Sequence, residues 1–271
     1  MRTRIVMSVL CLAFVLSAVP ASAQYAPRGS SDRATGENYR VEFGGFFWNP
    51  TPDMVIQSEE FGIIGSRIDL VEDLQLEKSR FGQIKATIRP GTKHKLRFEY
   101  TPINYEQPEG MLSRNIVFNG ITYPVTFPVA TTFKWNAYRF AYEFDFLYRD
   151  RGFLGLVLEA KYTDVEATLT NVLDSEFVRA RAPIPAIGLI GRVYVAPNIS
   201  ITGEFGGIKI PRIDEEYEAK YFDFDLYGSV NFTENVGAQL GFRSFDVFYK
   251  FEDDEGELNL KGLYFGGVVR F

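Results

Sequence analysis

His94 is the one histidine of the 271-residue chain and Cys11 its one cysteine, and together they narrow the chemistry available. A Ser–His or Cys–His nucleophile needs an imidazole in hydrogen-bond reach and a third group to orient it. His94 instead stands beside the Pro90-Gly91-Thr92-Lys93 turn and reads as a solvated turn residue. Zinc sites draw on several Cys and His ligands, and a disulfide framework needs paired cysteines, so neither is expected. Asp223 and Asp225 lie two apart, which places both carboxylates on one face of a strand. Ion pairing accounts for them as well as acid–base catalysis does, and no nucleophile accompanies them. Acidic runs occur at Glu59-Glu60, at Asp69 with Glu72-Asp73, at Asp214-Glu215-Glu216 with Glu218, and at Glu252-Asp253-Asp254-Glu255. Such carboxylates can bind calcium or magnesium, but none has EF-hand spacing, and they read as solvated loops. No cofactor is expected. Gly44-Gly45, Gly206-Gly207 and Gly266-Gly267 fall inside strands, where they ease curvature rather than cradle phosphate. The net charge of −6 argues against a nucleic-acid partner, which calls for a basic footprint.

The elements that position these residues begin with an address. Arg2 and Arg4 precede an apolar run from Ile5 to Val19, and Ala21-Ser22-Ala23 follows Pro20. That is a basic segment, an apolar segment and a small-residue cleavage site, predicting a signal peptide over 1–23. The apolar run is shorter than the roughly 20 residues of a spanning helix. Removing Arg2 and Arg4 takes the balance from −6 to −8 and removes the only cysteine. Residues 24–37 are polar and small, and read as a flexible periplasmic lead-in.

Beyond residue 38 the hydropathy alternates with period two. From Tyr221 to Asn231, Phe222, Phe224, Leu226, Gly228 and Val230 fall on one face, and Asp223, Asp225, Tyr227 and Ser229 on the other. The pattern predicts about ten strands, near 38–48, 79–89, 94–104, 132–147, 152–169, 185–196, 199–210, 220–232, 235–251 and 257–271. Eight or twelve are the alternatives. Asn119-Gly120, flanked by Ile116-Val117-Phe118 and Ile121-Thr122-Tyr123, predicts a two-residue hairpin standing above the membrane. Short turns alternate with longer connections, as in an antiparallel up-and-down barrel that crosses a membrane and starts and ends on the short-turn side. A soluble β-barrel or sandwich is the competing reading.

Three features decide which face meets lipid. Many strands reach the about 9–11 residues that a tilted strand needs to span a bilayer. The polar parity carries Glu42, Lys85, Arg97, Glu99, Arg139, Glu143, Glu159, Arg192, Glu204, Asp223, Asp225 and Arg243, a mixed-charge set suited to a barrel lumen. Trp48, Trp135, Tyr148, Tyr162, Tyr194 and Phe232 lie near strand ends, where aromatic girdles sit. Ten strands enclose little more space than eight, whose side chains fill the interior, so these charges are expected to pair into a plug. Arg139 with Glu159, Arg192 with Glu204 and Asp225 with Arg243 are partners available on neighbouring strands. A narrow, weakly selective solute path is the alternative.

The final strand, Leu263-Tyr264-Phe265-Gly266-Gly267-Val268-Val269-Arg270-Phe271, ends on Phe, with Phe265 in the same parity. It resembles the C-terminal signature of bacterial outer-membrane β-barrel proteins, over residues 38–271. Ile68-Asp69-Leu70 with Asp73-Leu74, and Arg243-Ser244-Phe245-Asp246, are similar to stretches of proteobacterial barrels without assigned chemistry. The resemblance implies a Gram-negative outer membrane, lipopolysaccharide as neighbour, and periplasmic chaperones and the barrel assembly machinery as partners, with Phe265 and Phe271 as assembly signal. Omptin-like proteases and lipid-modifying barrels resemble the chain in shape. They generally use a histidine at the outer rim or membrane face, with acidic or serine partners, whereas His94 falls at the periplasmic end. The reading is therefore a non-catalytic barrel with a structural or surface-interaction role and an unidentified extracellular ligand at most. A porin-like channel is second and a lipid-modifying enzyme third.

Overall fold

The computed structural model describes residues 34–57, 59–60, 63–118, 120–171, 175–213, 217–251 and 254–271. The expected signal peptide, most of the lead-in, Asn119, and the Asp214-Glu215-Glu216 and Glu252-Asp253 runs lie outside them. Ten long antiparallel strands make the wall: β1 Val41–Gln57, β2 Phe81–Gly91, β3 His94–Gly110, β4 Val129–Arg149, β5 Gly152–Thr170, β6 Ser175–Ala196, β7 Ile199–Ile213, β8 Tyr217–Asn231, β9 Val236–Phe251 and β10 Asp254–Arg270. Each pairs with the next, and β10 returns to β1 in an unbroken ladder from Glu42↔Arg270 to Gln57↔Glu255. Closure leaves no free edge, the condition for strands to cross hydrocarbon, where an unpaired amide costs several kcal/mol.

The strands form where period two predicts them, and the faces sort as the lipid reading requires. Phe222, Leu226 and Val230 are exposed on the outer wall, while Tyr221, Asp223, Asp225, Tyr227, Ser229 and Asn231 are buried inside. Phe43, Phe47, Ile84, Leu158, Leu189, Leu240 and Phe265 continue the outer apolar band around the barrel. Several strands rise well past the predicted ends on the loop side: β1 runs to Gln57 and β6 begins at Ser175.

Four of the six girdle aromatics face the other way, among them Tyr148, which stands opposite the inward Phe153 and packs on the interior cluster of Ala141, Val157 and Ile190. Trp48 and Trp135 are each 2% exposed and Tyr194 is buried too, because each shares the parity of inward neighbours. On the outer wall a tyrosine row takes their place. Tyr100, Tyr138 and Tyr162 stand opposite one another on β3, β4 and β5, with ring centroids 4.8 Å and 6.4 Å apart.

The loop-side mouth is filled by its own connections. Ile116–Phe118 and Ile121–Tyr123 pair as a hairpin, and Gly120 takes the left-handed φ of 77° that such a tight turn favours. The hairpin does not stand free above the barrel. Ile116, Phe118 and Tyr123 are buried, and they join Ile68, Leu70, Leu74 and Leu112 in one apolar cluster with Trp48, Phe81, Tyr105, Trp135 and Phe245 of the wall. Ile68–Asp69 adds a short strand to β1 at Val55 and Ile56. Asp73 locks the two loops together, accepting hydrogen bonds from the Ser113 hydroxyl at 2.6 Å and from Arg114 at 2.9 Å. Burial pushes the Asp73 carboxyl up, and the Arg114 and Ser113 donors outweigh it, so its pKa lies below the ordinary value.

Candidate functional site

The functional side chains are those that the inward parity delivers below the apolar cluster. Nine carboxylates (Glu37, Glu42, Glu99, Glu143, Asp145, Glu159, Glu204, Asp223 and Asp225) meet nine cations (Lys85, Arg89, Lys95, Arg97, Arg139, Lys161, Arg192, Arg243 and Arg270), each within salt-bridge reach of at least one partner. The equality matters, because a surplus of either sign would leave a buried charge unpaired at a cost of several kcal/mol.

Thirteen of these groups form one connected chain of contacts across the barrel. Lys95 bridges Glu143 at 2.5 Å and Asp145 at 3.0 Å. Arg97 joins Glu143 at 3.1 Å to Glu204 at 2.7 Å on the far wall. Arg139 donates to both Glu159 and Glu204 and lies 3.8 Å from Glu99. Arg243 donates to Glu99 and to Asp223 at 2.7 Å, and Lys161 meets Asp223 at 2.7 Å. Lys85 lies 3.9 Å from Glu99 and 3.4 Å from Asp225, whose second oxygen accepts from the Tyr264 hydroxyl at 2.8 Å. Many of these partners sit on strands that share no ladder: β3 with β7, β3 with β9, β2 with β8 and β5 with β8. They therefore tie opposite walls together.

Of the neighbouring-strand pairs suggested by the sequence, Arg139 with Glu159 forms. Arg192 and Glu204 do not meet, because the register sets Arg192 opposite Thr202. Arg192 bonds Thr202 at 2.9 Å and Glu37 at 2.7 Å instead. Asp225 stands directly opposite Arg243, yet Arg243 turns its hydrogen bonds to Asp223 and Glu99. Glu42 pairs with Arg270 at 2.6 Å across the closing ladder.

Beyond the twelve charges named from the sequence, the network takes in Asp145, Lys161 and Arg270, which share their inward face, and three participants that the sequence did not place inside. Arg89 and Lys95 flank the short Pro90 turn, and Glu37 belongs to the lead-in. In the structure residues 34–40 turn into the short-turn mouth: Thr35 bonds the Pro197 carbonyl, Asn231 bonds the Thr35 carbonyl, and Glu37 lies between Arg192, Arg89 and the Tyr194 hydroxyl. Burial raises the Glu37 carboxyl, but Arg192, Lys95 and Arg89 more than reverse this and bring its pKa down to about 2. The only signal for this plug was an acid at the end of the polar lead-in.

An interior space of about 620 Å3, counted with its opening, lies on the short-turn side between Tyr39, Lys85, Lys95, Arg97, Phe153 and Arg192. His94 lies away from all of this. Its Nδ1 is 2.6 Å from the Tyr142 hydroxyl and its ring stands 5.2 Å from Phe144, on the outer wall near the short Pro90 turn. It is thus bonded and stacked there, rather than simply solvated. Phe265 and Phe271 point outward from the last strand, Phe265 with its ring 5.9 Å from that of Phe47.

A closed antiparallel wall, an outer apolar band and a charged interior define the class: this is the fold of the outer-membrane β-barrels, built with ten strands. Comparison with solved structures agrees. The outer membrane protease OmpT from Escherichia coli matches with a TM-score of 0.61 at 11% identity, over 86% of this chain and 97% of that one. Weaker likenesses are to an outer membrane channel from Pseudomonas putida F1 (TM-score 0.41, 10% identity, 91% and 100% coverage) and to the attachment invasion locus protein Ail of Yersinia pestis (0.38, 11%, 86% and 99%). No family model and no curated protein sequence matches the chain.

Proposed function

We propose that the chain is an integral outer-membrane barrel with a structural or surface-presenting role, its lumen closed by charged side chains. The observation that carries this reading is the charge-matched network, whose links run between opposite walls instead of leaving a central path. The apolar cluster at the loop-side mouth and Glu37 at the periplasmic mouth support it from both ends. Paired in this way, the ions are held by several partners each, as buried charges require. The position of His94 beside the short Pro90 turn, at the end away from the long loops and bonded to Tyr142, supports a role without catalysis. A Gram-negative outer membrane, lipopolysaccharide contact, and delivery by the barrel assembly machinery through Phe265 and Phe271 belong to the same reading.

Planar-bilayer recording of the refolded barrel tests it. A folded, inserted and silent protein is expected. Stable conductance steps in the wild type would overturn the closed lumen and favour the channel reading.

A further inference from the structure

The interior space on the short-turn side has the make-up of a ligand site. Small-molecule pockets combine an apolar lining with a few aimed polar groups, and about 620 Å3, counted with the opening, is within their range of size. Phe46, Phe153, Ile190 and Val268 supply the apolar side. The charges on the lining are unequal, although the network as a whole is matched. Lys85, Lys95, Arg97, Arg139 and Arg192 reach it, against Glu42, Glu99 and Glu143. Acids that complete the pairing of these cations, such as Asp145, Glu204 and Asp225, stand outside the lining. The cavity therefore presents a positive wall.

Three side chains on this wall have hydrogen-bonding capacity that the protein leaves unused. Lys85 is the loosest cation of the network: its nearest acid oxygens lie at 3.4 Å and 3.9 Å, whereas Lys95 and Lys161 each have one within 2.7 Å. Its ammonium, with three donors, instead rests 5.2 Å from the Phe46 ring. Thr87, two residues further along the inward face of β2, is 9% exposed, and Gln239 on β9 is 6% exposed. Neither side chain has a hydrogen-bond partner among the described residues. Gln239 stands directly opposite Ser229, yet the Ser229 hydroxyl is unpaired too, so the Gln239 amide is turned away from it and lines the cavity. Buried polar groups are almost always paired, so a hydroxyl, an amide and a loosely held ammonium left over on one cavity wall call for a guest that accepts hydrogen bonds.

We propose that this cavity binds a small monocarboxylate with a short alkyl tail. The carboxylate oxygens accept from the Lys85 ammonium, the Thr87 hydroxyl and the Gln239 amide, and the tail lies on the apolar side. A single negative charge suits the positive wall. A phosphate dianion does not, because each further charge in a closed barrel needs its own counter-ion.

The test is calorimetric titration of the full refolded barrel in neutral detergent at pH 7 and constant ionic strength. Sodium propionate is the probe and propionamide its uncharged counterpart of the same shape. Unboiled gel migration checks that each variant is folded. One propionate should bind, at least about tenfold more tightly than propionamide. Acetate should bind about fourfold more weakly than propionate, the worth of one buried methylene. Lys85→Met should abolish binding, and Thr87→Val and Gln239→Leu, which keep the shape, should each weaken it about tenfold. No binding to the wild type, equal binding of propionamide, or wild-type affinity in Lys85→Met or in both shape-conserving variants would overturn the proposal. Displacement of propionate by an equal concentration of inorganic phosphate would overturn it too, by reducing the cavity to a bare anion contact. A silent barrel that binds nothing sinks this proposal alone, and a conducting barrel that binds propionate sinks the closed lumen alone.

Discussion

Arg243 on β9 and Glu99 on β3 are hydrogen-bonded across the barrel, although three strands stand between them in the sheet order. The same guanidinium holds Asp223 through both Nε and Nη2, so one side chain serves two carboxylates from two strands. Removing it exposes the asymmetry of buried ion pairs: the partners left behind are worse than a pair that was never there. Arg243→Ala is expected to destabilise the barrel by about 3–5 kcal/mol. Adding Glu99→Gln should recover part of that loss. Urea unfolding from phospholipid vesicles measures both, and a single variant as stable as wild type would contradict the network.

Glu37 gives the plug at the short-turn mouth a pH dependence. Its pKa falls from an ordinary 4.5 to about 2 on folding, so its contribution is complete above 4.5 and fades as pH drops toward 2. The shift corresponds to roughly 3 kcal/mol at neutral pH, as an upper figure. Glu37→Gln should lower the urea midpoint at pH 7 and leave it nearly unchanged at pH 2. An equal loss at both values would mean the carboxylate charge is not what holds the lead-in.

The loop-side hairpin is structural in this account. Phe118 is 1% exposed, and truncating such a ring typically costs about 3–5 kcal/mol. Phe118→Ala should loosen the cap, and the sign would be faster tryptic cleavage after Arg114, which Asp73 now holds at 2.9 Å. Unchanged cleavage would place the hairpin outside the cap.

Depth on the outer wall should read out in stability. Leu226→Arg puts a cation near the middle of the apolar band and should cost about 2–4 kcal/mol, whereas Val230→Arg, near the periplasmic edge, should cost about 0–1 kcal/mol. Equal costs would contradict the placement of the band.

The alternation that revealed the strands is a property of consecutive residues, so it was visible from residue 38 onward. The inward charges followed from it, because parity alone assigns a face. Which inward charges touch does not follow, since register and cross-barrel distance are set by closure. Arg192 illustrates this: its adjacent-strand candidate was Glu204, and its actual acid is Glu37, more than 150 residues earlier. The girdle tryptophans misled for a related reason. Proximity to a strand end was weighed over parity, and parity won at Trp48 and Trp135. The cap was hidden because loop residues such as Ile68 and Leu70 have no period to announce their burial.

The central claim is that apolar side chains on the wall face lipid and ionic ones face a closed axis. Single nitroxide labels along 221–231, read for collisions with lipid-soluble oxygen and with a water-soluble nickel chelate, test both halves at once. The account predicts oxygen maxima at 222, 224, 226 and 230, and little collision with either reagent at 223 and 225. Nickel maxima at 223 and 225 would reveal a water-filled lumen, and oxygen maxima at those same positions would reverse the barrel's faces and contradict the account outright.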